Sequence, residues 1–378
     1  MTDKAKRKGN PRRQLLVRLL IVIGLVVALI SAGVYVLRPK GAEIVFIAPD
    51  DEGIDQIWIA SVNQPENPRQ LTHHSRDVVG LWISEENSVV AYVTGVIARE
   101  IYYLELWLYH IDTGDNVRIL NCSEFIRCGS VSIHPDGQWL TYMLLEESVG
   151  GINTPNRYLH HIATSESILL HSYPAEDVLS DWNRVPGWLE DQIVYAVTND
   201  TDTVEYISRD LSDRISENTI SLNVQFLYPE FSPDGLHYAY YTADNGGIHD
   251  ISVSSVDKPQ GIEFTLQQPE SRSFPITQFH DWHPDSSAIL FIQYATGAGE
   301  ENAISISNIS SAETRILVSR AQHTYNTASF NYDGSQILYL KFSYEDRIEQ
   351  LTIYDMESRE EISLPLSGSN PQWVNGGR

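Results

Sequence analysis

EFSPDGLHYAYY, residues 230–241, decides the fold. Phe231 leads into Ser-Pro-Asp-Gly, and a run of aromatic and small residues follows. The same order returns as SIHPDGQWLTYM at 132–143, DWHPDSSAILFI at 281–292 and SFNYDGSQILYL at 329–340. Proline at the first central position fixes φ, aspartate tolerates the bridge region and glycine takes the left-handed conformation, so each stretch reads as strand, tight turn, strand. The turn residues are Pro135, Asp136 and Gly137; Pro233, Asp234 and Gly235; Pro284 and Asp285; and Asp333 and Gly334. Self-similarity at a fixed period means that one supersecondary unit is stacked until its apolar faces are covered.

Working outward from these turns, degenerate copies begin at Trp82, Trp188 and Trp373, and the anchors 82, 133, 188, 231, 282, 330 and 373 are separated by 51, 55, 43, 51, 48 and 43 residues. After each turn come a short apolar strand (Val89 to Val93, Ile193 to Val197, Ile337 to Leu340), a second (Leu104 to Tyr109, Leu351 to Tyr354) and a third (Arg118 to Leu120, Arg315 to Val318). Four strands per unit is a propeller blade. The first unit lacks its opening strand: EIVFI at 43–47 already resembles the strand after a turn, and the missing piece, Pro371-Gln-Trp-Val, stands at the other end. The sequence therefore predicts an all-β, seven-bladed propeller, with six or eight blades as alternatives because the Trp188 unit is degenerate. Its C-terminal strand would complete the first blade and leave no open inner edge. The aromatic anchors are expected to pack between blades.

Phe-Ser-Pro-Asp-Gly at 231–235, IVFIA at 44–48, IWIA at 57–60 and Arg-Gln-Leu-Thr at 69–72 together resemble the TolB-like propeller repeats, a relative of the WD-repeat pattern, across residues 42–378. The resemblance implies a fold; proteins with such repeats include periplasmic scaffolds, propeller domains of prolyl oligopeptidase-type peptidases and some polysaccharide lyases. No α/β domain precedes the first strand, as one does in TolB, and seven units are counted rather than six. A peptidase is not expected, since the chain carries neither a catalytic α/β-hydrolase domain after Arg378 nor a Gly-x-Ser-x-Gly nucleophile elbow.

Leu19 to Leu37, LLIVIGLVVALISAGVYVL, is uncharged, and as a helix it would reach roughly 28 Å, enough to span a bilayer. Seven Lys and Arg residues precede it and only Arg38 and Lys40 follow closely, so the positive-inside rule predicts a cytoplasmic N-terminus at 1–18, a signal-anchor helix at 19–37 and an extracytoplasmic propeller at 42–378. The run is longer than the apolar core of a cleaved signal peptide, and Ile30-Ser31-Ala32-Gly33 is a poor cleavage site. Nine of the 26 basic residues and one of the 50 acidic residues lie in 1–40, which leaves a formal charge of about −32 on the remainder. Nucleic acid and anionic headgroups are therefore not expected partners. The two cysteines, Cys122 and Cys128, are well placed in an exported loop to form a local disulfide contributing roughly 2 kcal/mol.

Twelve histidines include the pairs His73-His74, His160-His161 and His280 with His283, but a metal site needs three or four ligands converging from different blades. His134 and His283 stand where the repeat places Ser232, at a hairpin end. Asp50-Asp51-Glu52-Gly53 lacks the spacing of a calcium loop and reads as a polar turn. In SIHPDGQW, Asp136 and Gly137 are adjacent where the sialidase aspartate box separates them. No catalytic residue, cofactor or metal is assigned. The expected function is a membrane-anchored scaffold of a bacterial cell envelope, single-pass, binding a protein, peptide or envelope ligand at the channel mouth and its loops. The alternative, resting on resemblance alone, is a carbohydrate-active enzyme, a polysaccharide lyase or hydrolase, with its site at the same mouth.

Overall fold

The computed structural model describes residues 42–374, apart from 85–87, 98–100, 123–126, 148–152, 174–185, 199–203, 213–216, 221, 223–225, 244–248, 259–261, 267–275 and 295–300. The basic start at 1–18 and the apolar run at 19–37 lie outside the described residues. Among those described, no helix is long and apolar enough to cross a membrane.

Twenty-eight strands, numbered in chain order, form seven four-stranded antiparallel sheets. Six of these blades use four consecutive strands. The seventh has the order β28-β1-β2-β3: β28 (Ser369–Val374) lies beside β1 (Glu43–Pro49), followed by β2 (Asp55–Ser61) and β3 (Gln64–Gln70). Trp373 is opposite Ile44 and Gln372 opposite Val45, so the two ends of the propeller are joined within one sheet.

The strand before each repeated turn is the innermost. These are β4 (Asp77–Ile83), β8 (Arg127–Ile133), β12 (Gly187–Leu189), β16 (Phe226–Phe231), β20 (Ile276–Trp282), β24 (His323–Phe330) and β28, and they begin blades 1 to 7 in that order. Inner strands meet across the junctions β28 with β4, β4 with β8, β12 with β16, β20 with β24 and β24 with β28, which places them around a central channel. Strand direction alternates within a blade. The repeated turns therefore share one face of the disc with the turns between third and fourth strands, and the blade-to-blade connections leave from the opposite face.

Each second strand is buried on both faces, as β21 (Ala288–Tyr294) is between blades 4 and 6, and so reads as a near-continuous apolar run. In β21, Ile289, Leu290, Phe291 and Ile292 are all 0% exposed; burial of this kind contributes about 1.5–3 kcal/mol per side chain. A buried tyrosine recurs on these strands, and its hydroxyl donates to the start of the fourth strand: Tyr92 to Asn116 (2.8 Å), Tyr142 to Ser167 (3.1 Å), Tyr195 to Glu217 (3.1 Å) and Tyr339 to Glu361 (2.5 Å). The hydroxyl thus ties the inner half of a blade to its rim without leaving a polar group unpaired.

Every inner strand except the short β12 carries a register shift shortly before its anchor residue. Ser130, Thr327 and Asn370, each three residues before an anchor, have φ of 50°, 46° and 49°. A bulge adds twist and turns consecutive side chains toward one side. In β20 it leaves His280 and Asp281, although adjacent in sequence, both facing blade 6: Ala328 N–H donates to His280 Nδ1 and Phe330 N–H to Asp281 Oδ2.

Candidate functional site

The residue that precedes each anchor is Leu81, Ser132, Gly187, Glu230, Asp281, Ser329 or Gln372, and of these Leu81 is wholly buried in the core. This position lies at the seam between blades and usually closes it. Ser132 Oγ accepts the indole N–H of Trp188 at 2.8 Å. Asp281 Oδ2 accepts Phe330 N–H at 2.8 Å. Gln372 accepts Ile83 N–H at 3.0 Å and returns a hydrogen bond to the Leu81 carbonyl at 3.2 Å. Gly187 does it by smallness, since a Cβ there would lie 2.7 Å from the Phe231 ring. At Ser329 and Glu230 the backbone carbonyl does the work, accepting the indole N–H of Trp373 (3.2 Å) and Trp282 (2.9 Å).

Glu230 consequently has a side chain left over. The carboxylate has no hydrogen-bond or ion-pair partner among the described residues, and the side chain is exposed. Protein nevertheless encloses it closely enough that desolvation alone raises its pKa from 4.5 to about 7. Exposure on an innermost strand together with a low-dielectric surround fits a side chain that faces the channel. Tyr241, whose hydroxyl accepts Phe279 N–H at 2.7 Å, is pushed up to about 12 by burial, with a contribution from the Glu230 charge. On the next blade His280 is held neutral, its pKa lowered to about 4 by burial.

The turn residues singled out from the sequence do not face the channel; they form a second ring. Gly137, Gly235 and Gly334 have φ of 66°, 67° and 73°, and Ser286 takes the same role in blade 5 at 64°. The turns touch in succession. Ser84 Oγ donates to the Pro135 carbonyl (3.2 Å), His134 Nε2 lies 2.9 Å from the Glu190 carbonyl, and Asp234 N–H donates to Ser286 Oγ (3.0 Å). Leu189 packs on Gly235 and His283 on Gly334. His134 and His283 are thus more than exposed hairpin ends: each imidazole fills the gap to the neighbouring blade, and His134 is 7% exposed. Asp285 lies below the usual carboxylate range because Ser287 hydrogen-bonds to it, helped by His283. Pro233 and Pro284 lead into these turns, and in blade 6 the position belongs to Tyr332, which is exposed. Asp333 Oδ1 accepts Ser335 N–H at 2.9 Å and closes that turn.

Cys122 and Cys128 are bonded, both buried in the cluster between blades 1 and 2. Asp50 caps its own turn by accepting the N–H groups of Glu52 (2.9 Å) and Ile54 (3.0 Å). Among the described residues no three His, Cys, Asp or Glu side chains gather closely enough to hold a metal ion.

A concavity of about 440 Å³ lies far from the channel, between Leu317–Arg320 of blade 5 and Tyr354 and Arg359–Glu361 of blade 6. Its charges are largely spent on one another. Glu361 pairs with Arg320 and Lys341 and accepts from Tyr339. Burial opposes that carboxylate, yet the tyrosine and the two cations win and hold its pKa below the ordinary value. The groove is a fastened blade junction, so the channel is the better candidate. Nothing in the sequence distinguished Glu230 from the other acidic residues; what marks it is the bond made by its backbone.

No family model matches the chain. The uncharacterized protein YidR of Escherichia coli (strain K12) is 29% identical over 116 residues, 28% of this chain and 24% of YidR. Among solved structures, the β-propeller domain of the Trilobed protease from Pyrococcus furiosus superposes with a TM-score of 0.60 at 14% identity, covering 88% of this chain and 97% of that one. An acylaminoacyl peptidase gives 0.57 at 12% identity over 86% of this chain and 50% of that one. TolB from Acinetobacter baumannii gives 0.50 at 16% identity over 88% and 82%. The resemblance to TolB and its relatives therefore holds at the level of the fold, among neighbours that include enzymes. The P. furiosus domain is described as having an open velcro topology, whereas here β28 pairs with β1.

Proposed function

We propose that this chain is a binding scaffold of a bacterial cell envelope, held by residues 19–37 in the membrane with its propeller outside, and that a protein, peptide or envelope ligand docks at the channel mouth. The observation that carries the reading is the division of labour between the two faces. One carries turns that touch from blade to blade, while the blade-to-blade connections leave from the other. A rigid ring that positions loops is a common platform for recognition. The acidic outer part, about −32, favours partners with basic surfaces. Crosslinking in intact cells followed by purification of the full chain tests this. Recovery of one reproducible partner whose crosslinks map to the loop face is expected; repeated purification without a partner would overturn it. A reporter fused after Arg378 should be active only outside the cytoplasm.

A further inference from the structure

The inner strands hold three described carboxylates, and two are engaged: Asp77 Oδ1 accepts Asp55 N–H at 3.0 Å, and Asp281 accepts Phe330 N–H. Glu230 is the third, freed because its carbonyl already makes the bond to Trp282. No described side chain on the seven inner strands is Lys or Arg, so among the described residues none on those strands neutralises it. Gln278 and Asn326, exposed on the next two inner strands, are neutral amides. We infer that Glu230 is the contact residue of a channel site for a cationic group, a primary ammonium or guanidinium presented by a ligand or by a partner's lysine or arginine. The inference rests on the scaffold reading and places its cationic contact near the turn end of the channel, where β16 runs into the Ser232–Gly235 turn. A cation arriving there restores the ion pair that the fold withholds, and the wall excludes enough water for the pair to be stronger than one at the surface. The raised pKa of Glu230 fits this arrangement, since a bound cation would draw the carboxyl back to its charged form.

The test uses the purified full chain and trilysine as the probe, followed by calorimetry at pH 8, with triglutamine as the uncharged control. Trilysine should bind and triglutamine should not. Glu230→Gln should weaken trilysine about tenfold or more, the loss ordinary for removing a hydrogen-bonded charge partner. Glu313→Gln, at an exposed acid on the rim, should leave the affinity within about twofold. Carbodiimide should also join bound trilysine to Glu230, forming an amide and releasing the urea, read as an adduct by peptide mapping. Equal weakening by both substitutions, or an unchanged affinity in Glu230→Gln, would overturn the assignment. The two readings fail separately. A partner captured by crosslinking while Glu230→Gln changes nothing leaves the scaffold standing without its cation site. Trilysine binding that depends on Glu230 with no partner captured leaves the site without the scaffold.

Discussion

Replacing Gly334 with alanine measures how much the ring of turns contributes to holding neighbouring blades together. Gly334 has φ of +73°, and forcing a residue with a Cβ into the left-handed region costs about 1–2 kcal/mol. A Cβ built there would also lie 2.0 Å from Nε2 and 2.6 Å from Cε1 of His283, which belongs to the blade before. That imidazole is not free to swing aside: Nδ1 lies 2.5 Å from Asp285 Oδ1, and the ring meets Phe330 edge-on at 4.9 Å. Overpacking of this kind adds about 1–3 kcal/mol. Gly53 supplies the reference, since its φ is +81° with nothing within 4 Å of an added Cβ. Gly53→Ala should therefore cost about 1 kcal/mol and Gly334→Ala about 3 kcal/mol, read from urea midpoints at an unchanged m-value. Combining Gly334→Ala with His283→Ala should recover part of the loss, because the clash is then absent. If the two glycine substitutions agree within about 0.5 kcal/mol, the turns do not press on one another and the ring reading is wrong.

Gln372→Ala should cost about 1–3 kcal/mol by stranding the Ile83 N–H and one bond to the Leu81 carbonyl, and hydrogen exchange at Ile83 should accelerate with it; unchanged exchange would show that the clasp is ornamental. Cys122→Ser with Cys128→Ser should lower stability by about 2 kcal/mol, as should reductant added to the native chain, because the bridge closes a loop of sequence separation 6. Glu230 titrates near 7 in the fold against 4.5 when unfolded, so wild type binds the extra proton between those values and loses stability as pH rises through them. Glu230→Gln should thus gain on wild type by about 1 kcal/mol between pH 4 and pH 8, a figure reduced for solvent access through the channel. His160 and His280 have the opposite sign: burial lowers both from 6.5 to about 4, so their contribution is lost as pH falls through that window. The double variant His160→Gln and His280→Gln should lose less stability on acidification than wild type; equal loss would exclude these imidazoles as the cause.

The repeat made the architecture legible because it reports geometry directly. Proline, aspartate and glycine can only be spelled in that order where the backbone makes a tight, partly left-handed turn, and the missing first strand with its counterpart at Pro371-Gln-Trp-Val marked the closure. The bulges were not legible: Ser130, Thr327 and Asn370 adopt positive φ, but no residue type demands it there, and the register shift arises from how strands meet around the channel. The hydroxyl partners of Tyr92, Tyr195 and Tyr339 were hidden for a related reason, since each lies about 22–24 residues away on the far strand of the same blade. Glu230 was hidden most completely, because its character depends on which atom of its own residue answers Trp282.

The pairing of β28 with β1 joins residues far apart in the chain, Ile44 against Trp373. Until the final few residues of that strand are delivered, six blades stand as an arc with β1 offering an unsatisfied edge to any passing polypeptide. Closure must therefore wait until β28 has been delivered, and the interval is long because contacts of such separation form slowly. A premature stop before β28 would leave an almost intact array that still invites aggregation, so the quality of this protein in the cell hinges on the six residues of that strand.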